Sequence, residues 1–213
     1  MTIFILPLLL ITVIIILVFK VFVKESTSGF NESIEEFKDK ELQANYTIKS
    51  IQNLQLNYVY SNKEILPFKE YENDKEFREL IKKQAQVKRK CDLDMIKLPL
   101  GFNNTDIKAN YGINNFDKIV LMEEHYNGYI RALFEWAKAL YDFGNKQDCK
   151  IILEECIRLE GDISQIYIII SDIFFEEKNK NSLINLKKCI INYELTFKDK
   201  VLKYIEHKIN LLN

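Results

Sequence analysis

The pattern of apolar and polar positions divides the chain into one continuous apolar stretch at the N-terminus and a series of amphipathic segments after it. Residues Ile3 to Phe19 contain no charged side chain, and after Lys20 the apolar run continues to Val23. A helix of about 20 apolar residues is long enough to cross roughly 30 Å of hydrocarbon. The pattern therefore predicts a transmembrane helix over residues 1–24, with Ile3 to Val23 in the lipid bilayer.

A cleaved signal peptide is the competing interpretation of this segment. Signal peptides have a basic start, a shorter apolar core and a small-residue cleavage site, and none of these is present. We therefore predict an uncleaved anchor. Lys20 and Lys24 flank the apolar run on one side, against the uncharged Met1 and Thr2 on the other, and the positive-inside rule then favours a cytoplasmic body. The chain is thus predicted to be a single-pass membrane protein.

Residues 25–115 are predicted to form a juxtamembrane spacer and a mixed, mostly helical region. Small polar residues from Glu25 to Gly29 lead away from the membrane, and Asn31 suits the cap of a helix. The stretch 45–66 has alternating apolar residues, as in a strand, together with apolar residues at helical spacing, so both alternatives stay open. Residues 98–115, with two glycines and a proline, predict an irregular connection.

Between these stretches, the sequence predicts a helix that begins at Asp74 and ends before Pro99. Its apolar residues recur at about 3.6-residue spacing from Phe77 to Val87. The helix also concentrates basic residues that suit anionic lipid or a phosphate backbone. Nearby acidic residues cancel much of this charge, and a solvated helix face is the favoured interpretation. The basic residues are Lys82, Lys83, Lys88, Arg89 and Lys90.

Residues 116–213 contain an internal repeat. The stretch from Asn145 to Cys156 recurs 33 to 34 positions later, from Asn179 to Cys189. Each copy predicts a helix, a tight turn and a second helix, with Gly144 supplying the permissive backbone at the first turn. The matched positions are Asn145 with Asn179, Leu153 with Leu186, and Cys156 with Cys189.

This repeat resembles the tetratricopeptide repeat family, in which large and small residues alternate along both helices of a unit. The resemblance departs from the family pattern in that the closing proline is absent and Lys178-Asn179 replaces the glycine of the second turn. It implies a mainly α fold that ends in a TPR-like α-solenoid, with a capping helix over residues 196–212. The packing positions are Leu133, Trp136, Ala137, Leu140, Cys149, Leu153 and Cys156 in the first unit, and Tyr167, Ile170, Ser171, Phe174, Ser182, Leu186 and Cys189 in the second.

Charge and motifs exclude several classes of function. The chain has 30 basic and 31 acidic residues, so its net charge of -1 gives no reason to expect a nucleic-acid partner. Its four cysteines form no CxxC pair, and Cys149, Cys156 and Cys189 are interpreted as small packing residues. No glycine-rich phosphate loop, nucleophile motif or metal-binding histidine pair is present. We therefore predict a non-enzymatic protein with no catalytic residue, metal or cofactor.

The resemblance implies protein binding, because the first helices of successive repeats line a concave surface that holds a peptide or another protein. The chain is then a membrane-anchored adaptor or scaffold. Two alternatives stay open: a structural or assembly subunit packed permanently in a larger membrane complex, and a groove filled by the chain's own helix around Phe77 to Val87. The predicted contact residues are Arg131, Phe134, Lys138 and Tyr141 on the first unit and Gln165, Ile168, Asp172 and Phe175 on the second.

The anchor prediction is tested on the mature protein extracted from membranes. Because no cleavage site follows the apolar run, N-terminal sequencing and the intact mass should both place the start of the chain before residue 24. A mature protein that begins beyond this position would show that the segment is a cleaved signal peptide.

Overall fold

The structure, a computed structural model, describes residues 33–71 and 75–212. The predicted transmembrane helix and the caps predicted at Asn31 and Asp74 lie outside these ranges. The described residues form eight α-helices and one two-stranded sheet, which confirms the predicted mainly α class. None of the helices described is both long and apolar enough to cross a membrane.

The chain divides into two compact units, and the first comprises the described residues up to Ser50 together with Asn103–Asn114. It contains α1, helical over residues 33–46, and α3, Asn104–Tyr111. Beyond α1, the Asn114 amide exchanges two hydrogen bonds with the Lys49 backbone, at 3.1 and 2.9 Å. The N–H of Ile113 also donates to the carbonyl of Thr47 at 2.8 Å. These bonds hold the segments after α1 and α3 together.

Helix α3 lies where the sequence predicted an irregular connection, so that prediction was wrong. Asn103 accepts a hydrogen bond from the Asp106 N–H, and the Asp106 carboxylate accepts one from the Asn103 N–H, both at 3.0 Å. This capping box satisfies two backbone donors at the helix start. Ile107 is the one buried residue of α3, so the sequence of this helix has no apolar periodicity from which the helix could be predicted.

The second unit comprises Ile51–Phe102 and the chain from Asn115 onward. Over residues 45–66, neither of the two alternatives holds: a 3₁₀ turn at Ile51–Asn53 precedes a strand of only two residues. This strand, β1 (Tyr58–Val59), pairs antiparallel with β2 (Met95–Ile96), and Tyr58 lies opposite Ile96. The elements are β1 (Tyr58–Val59), α2 (Arg78–Lys90), β2 (Met95–Ile96), α4 (Phe116–Asp142), α5 (Lys146–Arg158), α6 (Ser164–Glu176), α7 (Lys180–Ile191) and α8 (Lys198–Asn210).

From α4 to α8 each helix packs against the next, and α6 also packs against α8. The small residues Ala137, Cys149 and Cys156 are completely buried, as the packing positions require. Cys189 is exposed, so its assignment to the core was wrong. Helix α7 buries Leu183, Leu186 and Ile190, and Cys189 lies outside that stripe.

The turns of the two helix pairs share one backbone conformation. Gly144 has a φ of 87° before α5, and Lys178 has a φ of 54° before α7. A left-handed conformation costs a non-glycine residue roughly 1–2 kcal/mol. In both pairs the next residue caps the second helix: the Asn145 side chain accepts from the N–H of Asp148, and that of Asn179 accepts from the N–H of Ser182.

Segment 60–71 connects α2, α4 and α5, a role that the sequence did not reveal. The Phe68 ring stacks on the buried Trp136 of α4, with ring centroids 5.2 Å apart. The Gln84 side chain of α2 exchanges two hydrogen bonds with the backbone of Lys69, at 3.0 and 2.7 Å. Backbone bonds and aromatic stacking thus fix the segment to two helices at once.

A buried carboxylate attaches the same segment to α5. Glu155 is completely buried and accepts from the N–H of Asn62 at 3.0 Å. The Arg158 guanidinium binds both of its oxygens, at 2.7 and 2.8 Å, and also donates to the carbonyl of Tyr60. A buried charge of this kind is stable only when it is paired and hydrogen-bonded.

The packing of α4 on α5 is tested by two adjacent substitutions. Ala137→Arg should lower the free energy of unfolding by several kcal/mol, because position 137 is completely buried and an arginine there buries an unpaired charge. Lys138→Ala should change it by no more than about 0.5 kcal/mol, since Lys138 is exposed. Equal melting temperatures for Ala137→Arg and the parent would contradict this packing.

Candidate partner-binding surface

The C-terminal half of α4 carries the four residues predicted as partner contacts on the first repeat, and two of them, Phe134 and Tyr141, also pack against the core. Arg131 and Lys138 are exposed, and Phe134 and Tyr141 are half-buried. The residues of each pair lie seven positions apart and therefore share one line along the helix. Most other apolar residues of this half of α4, among them Trp136 and Ala137, are buried.

Helix α6 leaves only a narrow strip uncovered, because it is apolar nearly all round. Residues Ile166, Tyr167, Ile169, Ile170, Ser171, Ile173 and Phe174 are buried. Gln165 is exposed, and Ile168, Asp172 and Phe175 are half-buried. Gln165, Ile168, Asp172 and Phe175 are the residues that the resemblance predicted as partner contacts on the second repeat. All eight predicted residues thus keep part of their surface open to solvent.

Tyr141, in the last turn of α4, lies near Lys146 of α5, and the charges of two carboxylates on α6 influence its phenol. Burial raises the pKa of the Tyr141 phenol, and the Glu176 and Asp172 carboxylates of α6 raise it further, while Lys146 acts in the opposite direction. The Lys146 ammonium lies 5.8 Å from the Tyr141 ring centroid and pairs with Glu176. Tyr141 and Asp172 therefore share one charged neighbourhood.

Helix α8 contacts the α6 strip with two side chains that the sequence did not single out. The Tyr204 hydroxyl donates to Asp172 at 2.6 Å, and the Lys208 ammonium lies 2.8 Å from the same carboxylate. Lys208 also lies 4.6 Å from the Phe175 ring centroid. Asp172 is thereby held in place by two donors. The four-residue spacing of Tyr204 and Lys208 on one helix face was the available signal.

Helix α2 packs along one flank of α4. Lys83 pairs with Glu135 at 2.7 Å, and the Phe77 ring centroid lies 5.3 Å from that of Phe143. At 100° per residue, Glu135 and Phe134 point in directions about 100° apart. The contacts with α2 therefore lie to the side of the line formed by Phe134 and Tyr141.

Comparisons with protein-family models, curated proteins and solved structures found no match to this chain. The role of the surface must be inferred from its own side chains.

Within residues 33–71 and 75–212, no group of three His, Cys, Asp or Glu side chains is placed to hold a metal ion. Burial raises the pKa of the Cys149 thiol to about 12 and that of Cys156 still further. Such thiols stay protonated and are poor nucleophiles. His125 approaches the Asp94 carbonyl at 2.9 Å.

The attachment of α8 to the α6 strip is tested by Asp172→Asn. This change removes the charge that pairs with Lys208 in a half-buried setting, and it should cost about 1 kcal/mol of local stability. Hydrogen exchange of the amides from Val201 to Ile205 should accelerate about fivefold, and that of α4 should not change.

Asp142→Asn removes an exposed carboxylate near the end of α4 and serves as the control. Exchange rates in α8 that are the same in the two variants would show that Asp172 does not hold this helix.

Proposed function

We propose that this chain is a membrane-anchored, non-catalytic adaptor that binds another protein or a peptide through the surface of α4 and α6. The observation that carries the proposal is the partial exposure of two apolar pairs, Phe134 with Tyr141 and Ile168 with Phe175, beside a densely packed core. Half-buried aromatic residues next to charged ones are typical anchor residues of protein interfaces.

A TPR-like α-solenoid is the architecture that we propose for this surface. Its support is the succession of helix pairs α4–α5 and α6–α7, with α8 packed against both α6 and α7. The completely buried Ala137, Cys149 and Cys156 allow close approach of paired helices. In such an architecture, α8 is the capping helix and the first helices present the contact residues.

The support for the membrane anchor in this proposal comes from the amino-acid sequence. The apolar residues from Ile3 to Val23 insert into the bilayer, and Lys20 and Lys24 favour a cytoplasmic location for the helical units. A short polar segment from Glu25 to Gly29 separates the anchor from α1. The adaptor would then concentrate its partner at the membrane surface.

A second candidate function is an assembly subunit that is packed permanently in a larger membrane complex. The compact unit that contains α1 and α3 favours this second function, because four of its large apolar residues are exposed. They are Phe37, Leu42, Tyr46 and Ile48. Such residues are typical of surfaces that pack against other proteins. An assembly subunit should self-associate or precipitate when it is purified alone, whereas the adaptor should stay monodisperse.

Phe134→Ser combined with Phe175→Ser tests the adaptor surface. Peptides selected from a random library on the full-length chain in detergent should bind this double variant at least tenfold more weakly. Its free energy of unfolding should fall by much less than the roughly 3–5 kcal/mol lost when one fully buried phenylalanine is truncated, because both rings are half-buried.

Leu121→Ser combined with Phe197→Ser is the matched control, since both residues are exposed apolar side chains outside the surface. This control should bind the selected peptides like the parent. A large fall in the melting temperature of the Phe134 and Phe175 variant without any peptide would mean that the rings belong to the core, and the adaptor surface would be rejected.

A further inference from the structure

A hollow of about 520 Å³ lies between α2 and α4, beside the proposed surface. Gly128 and Ala132 of α4, with Leu93, give it an apolar lining. Three cations also line it: Arg89 and Lys90 from the end of α2, and Arg131 from α4. The basic residues that the sequence analysis interpreted as a solvated helix face are thus joined here by an arginine of a second helix.

Among the residues that the structure describes, Arg89, Lys90 and Arg131 form no ion pair with a carboxylate. The one acid that lines the hollow, Glu135, accepts a hydrogen bond from Lys83. That bond lowers the pKa of Glu135, and the charges of Lys83, Lys138 and Arg131 lower it further. The hollow therefore has more positive charge than its one carboxylate compensates, and it favours an added anion.

A glycine makes room for one of these cations. A Cβ atom at Gly128 would lie 2.9 Å from the Lys90 ammonium nitrogen, so the side chain of Lys90 lies directly over the α4 backbone. Glycine in the middle of a helix costs roughly 1 kcal/mol relative to alanine. Because the ammonium is the flexible end of its side chain, a small shift of Lys90 would accommodate a methyl group at position 128.

We propose that the hollow binds the carboxylates of an acidic peptide segment that also carries apolar side chains. Guanidinium groups bind carboxylates through two parallel hydrogen bonds, and two arginines meet here. The apolar lining suits the aliphatic part of a leucine or glutamate side chain. Arg131 belongs both to the hollow and to the exposed part of α4 that carries Phe134, so one extended segment can contact both.

The neighbouring charges favour a peptide over a lipid surface. Glu76, Glu79 and Asp142 line the next hollow along α2 and α4 with Lys138 as its one cation, and a flat layer of anionic headgroups would be repelled by this excess of carboxylates. A peptide can place its carboxylates at the cations alone. This inference rests on the proposed function, because it assigns the partner of that surface an acidic character.

The test uses two fluorescein-labelled twelve-residue peptides, one of Glu, Asp and Leu and the other with Gln and Asn in place of the acids. Fluorescence anisotropy with the full-length chain in detergent should show at least tenfold tighter binding of the acidic peptide, and the difference should shrink at high salt. Arg89→Gln combined with Arg131→Gln should weaken binding of the acidic peptide at least tenfold. Lys188→Gln combined with Lys203→Gln is the control for charge, and it should bind like the parent.

Lys90→Gln separates binding from stability. It should leave the melting temperature nearly unchanged, because Lys90 forms no ion pair among the described residues, and still weaken binding of the acidic peptide severalfold. Binding to vesicles of phosphatidylserine and phosphatidylcholine is measured in parallel, and it tests an anionic lipid surface as the alternative ligand. Binding to these vesicles in place of the acidic peptide would overturn the inference.

Equal affinity for the acidic and the amide peptide, or an unchanged affinity in the Arg89 and Arg131 variant, would also overturn it. If peptides lose affinity in the Phe134 and Phe175 variant but not in the arginine variant, the acidic specificity fails and the proposed function stands. If the acidic peptide depends on the arginines but not on the phenylalanines, the hollow binds it and the proposed α4 and α6 surface fails.

Discussion

The structure of the second unit depends on the burial of α4 from more than one side. Trp136 is completely buried under the stacked ring of Phe68, whereas Ala137, on the same turn, allows α5 to approach. Segment 60–71 and α5 thus both pack against α4. Glu155 links these two elements, since its buried carboxylate accepts from Asn62 at the start of the segment and from Arg158 on α5. Packing on α4 and a buried charge pair thus fix the same part of the chain.

This arrangement also determines which part of α4 remains open. Segment 60–71 and α5 cover the sides with Trp136 and Ala137, and α2 lies along the flank with Glu135. What remains partly open on α4 is the line of Arg131, Phe134, Lys138 and Tyr141, and α6 has a narrow half-buried strip of its own. The proposed function rests on these two partly open lines, which the neighbouring helices of this unit do not fully cover.

Periodic apolar stripes made most of the helices of the second unit predictable. Helices α2 and α4 to α8 each bury residues at helical spacing. Periodicity did not single out the half-buried strip of α6, because Ile168 and Phe175 are as apolar as the buried residues, and its residues were predicted from the repeat resemblance alone. Elements held by polar contacts could not be found in this way. Helix α3 depends on the Asn103 cap, and segment 60–71 depends on hydrogen bonds between its backbone and distant side chains. The hydrogen bond from Tyr204 to Asp172 joins residues that are 32 positions apart. Cys189 shows that a repeat match can also mislead. The match to Cys156 predicted a packing residue, but it does not reveal which side of α7 is covered.

Hydroxyl-radical footprinting of the full-length chain without a partner measures most directly whether the surface of α4 and α6 is open. With rates corrected for intrinsic reactivity, we expect Phe134, Tyr141 and Phe175 to be oxidised clearly faster than the completely buried Trp136, Tyr129 and Tyr167. Protection of the first three rings to the level of the buried ones would show that another part of the chain covers them, and the surface could not then receive a partner.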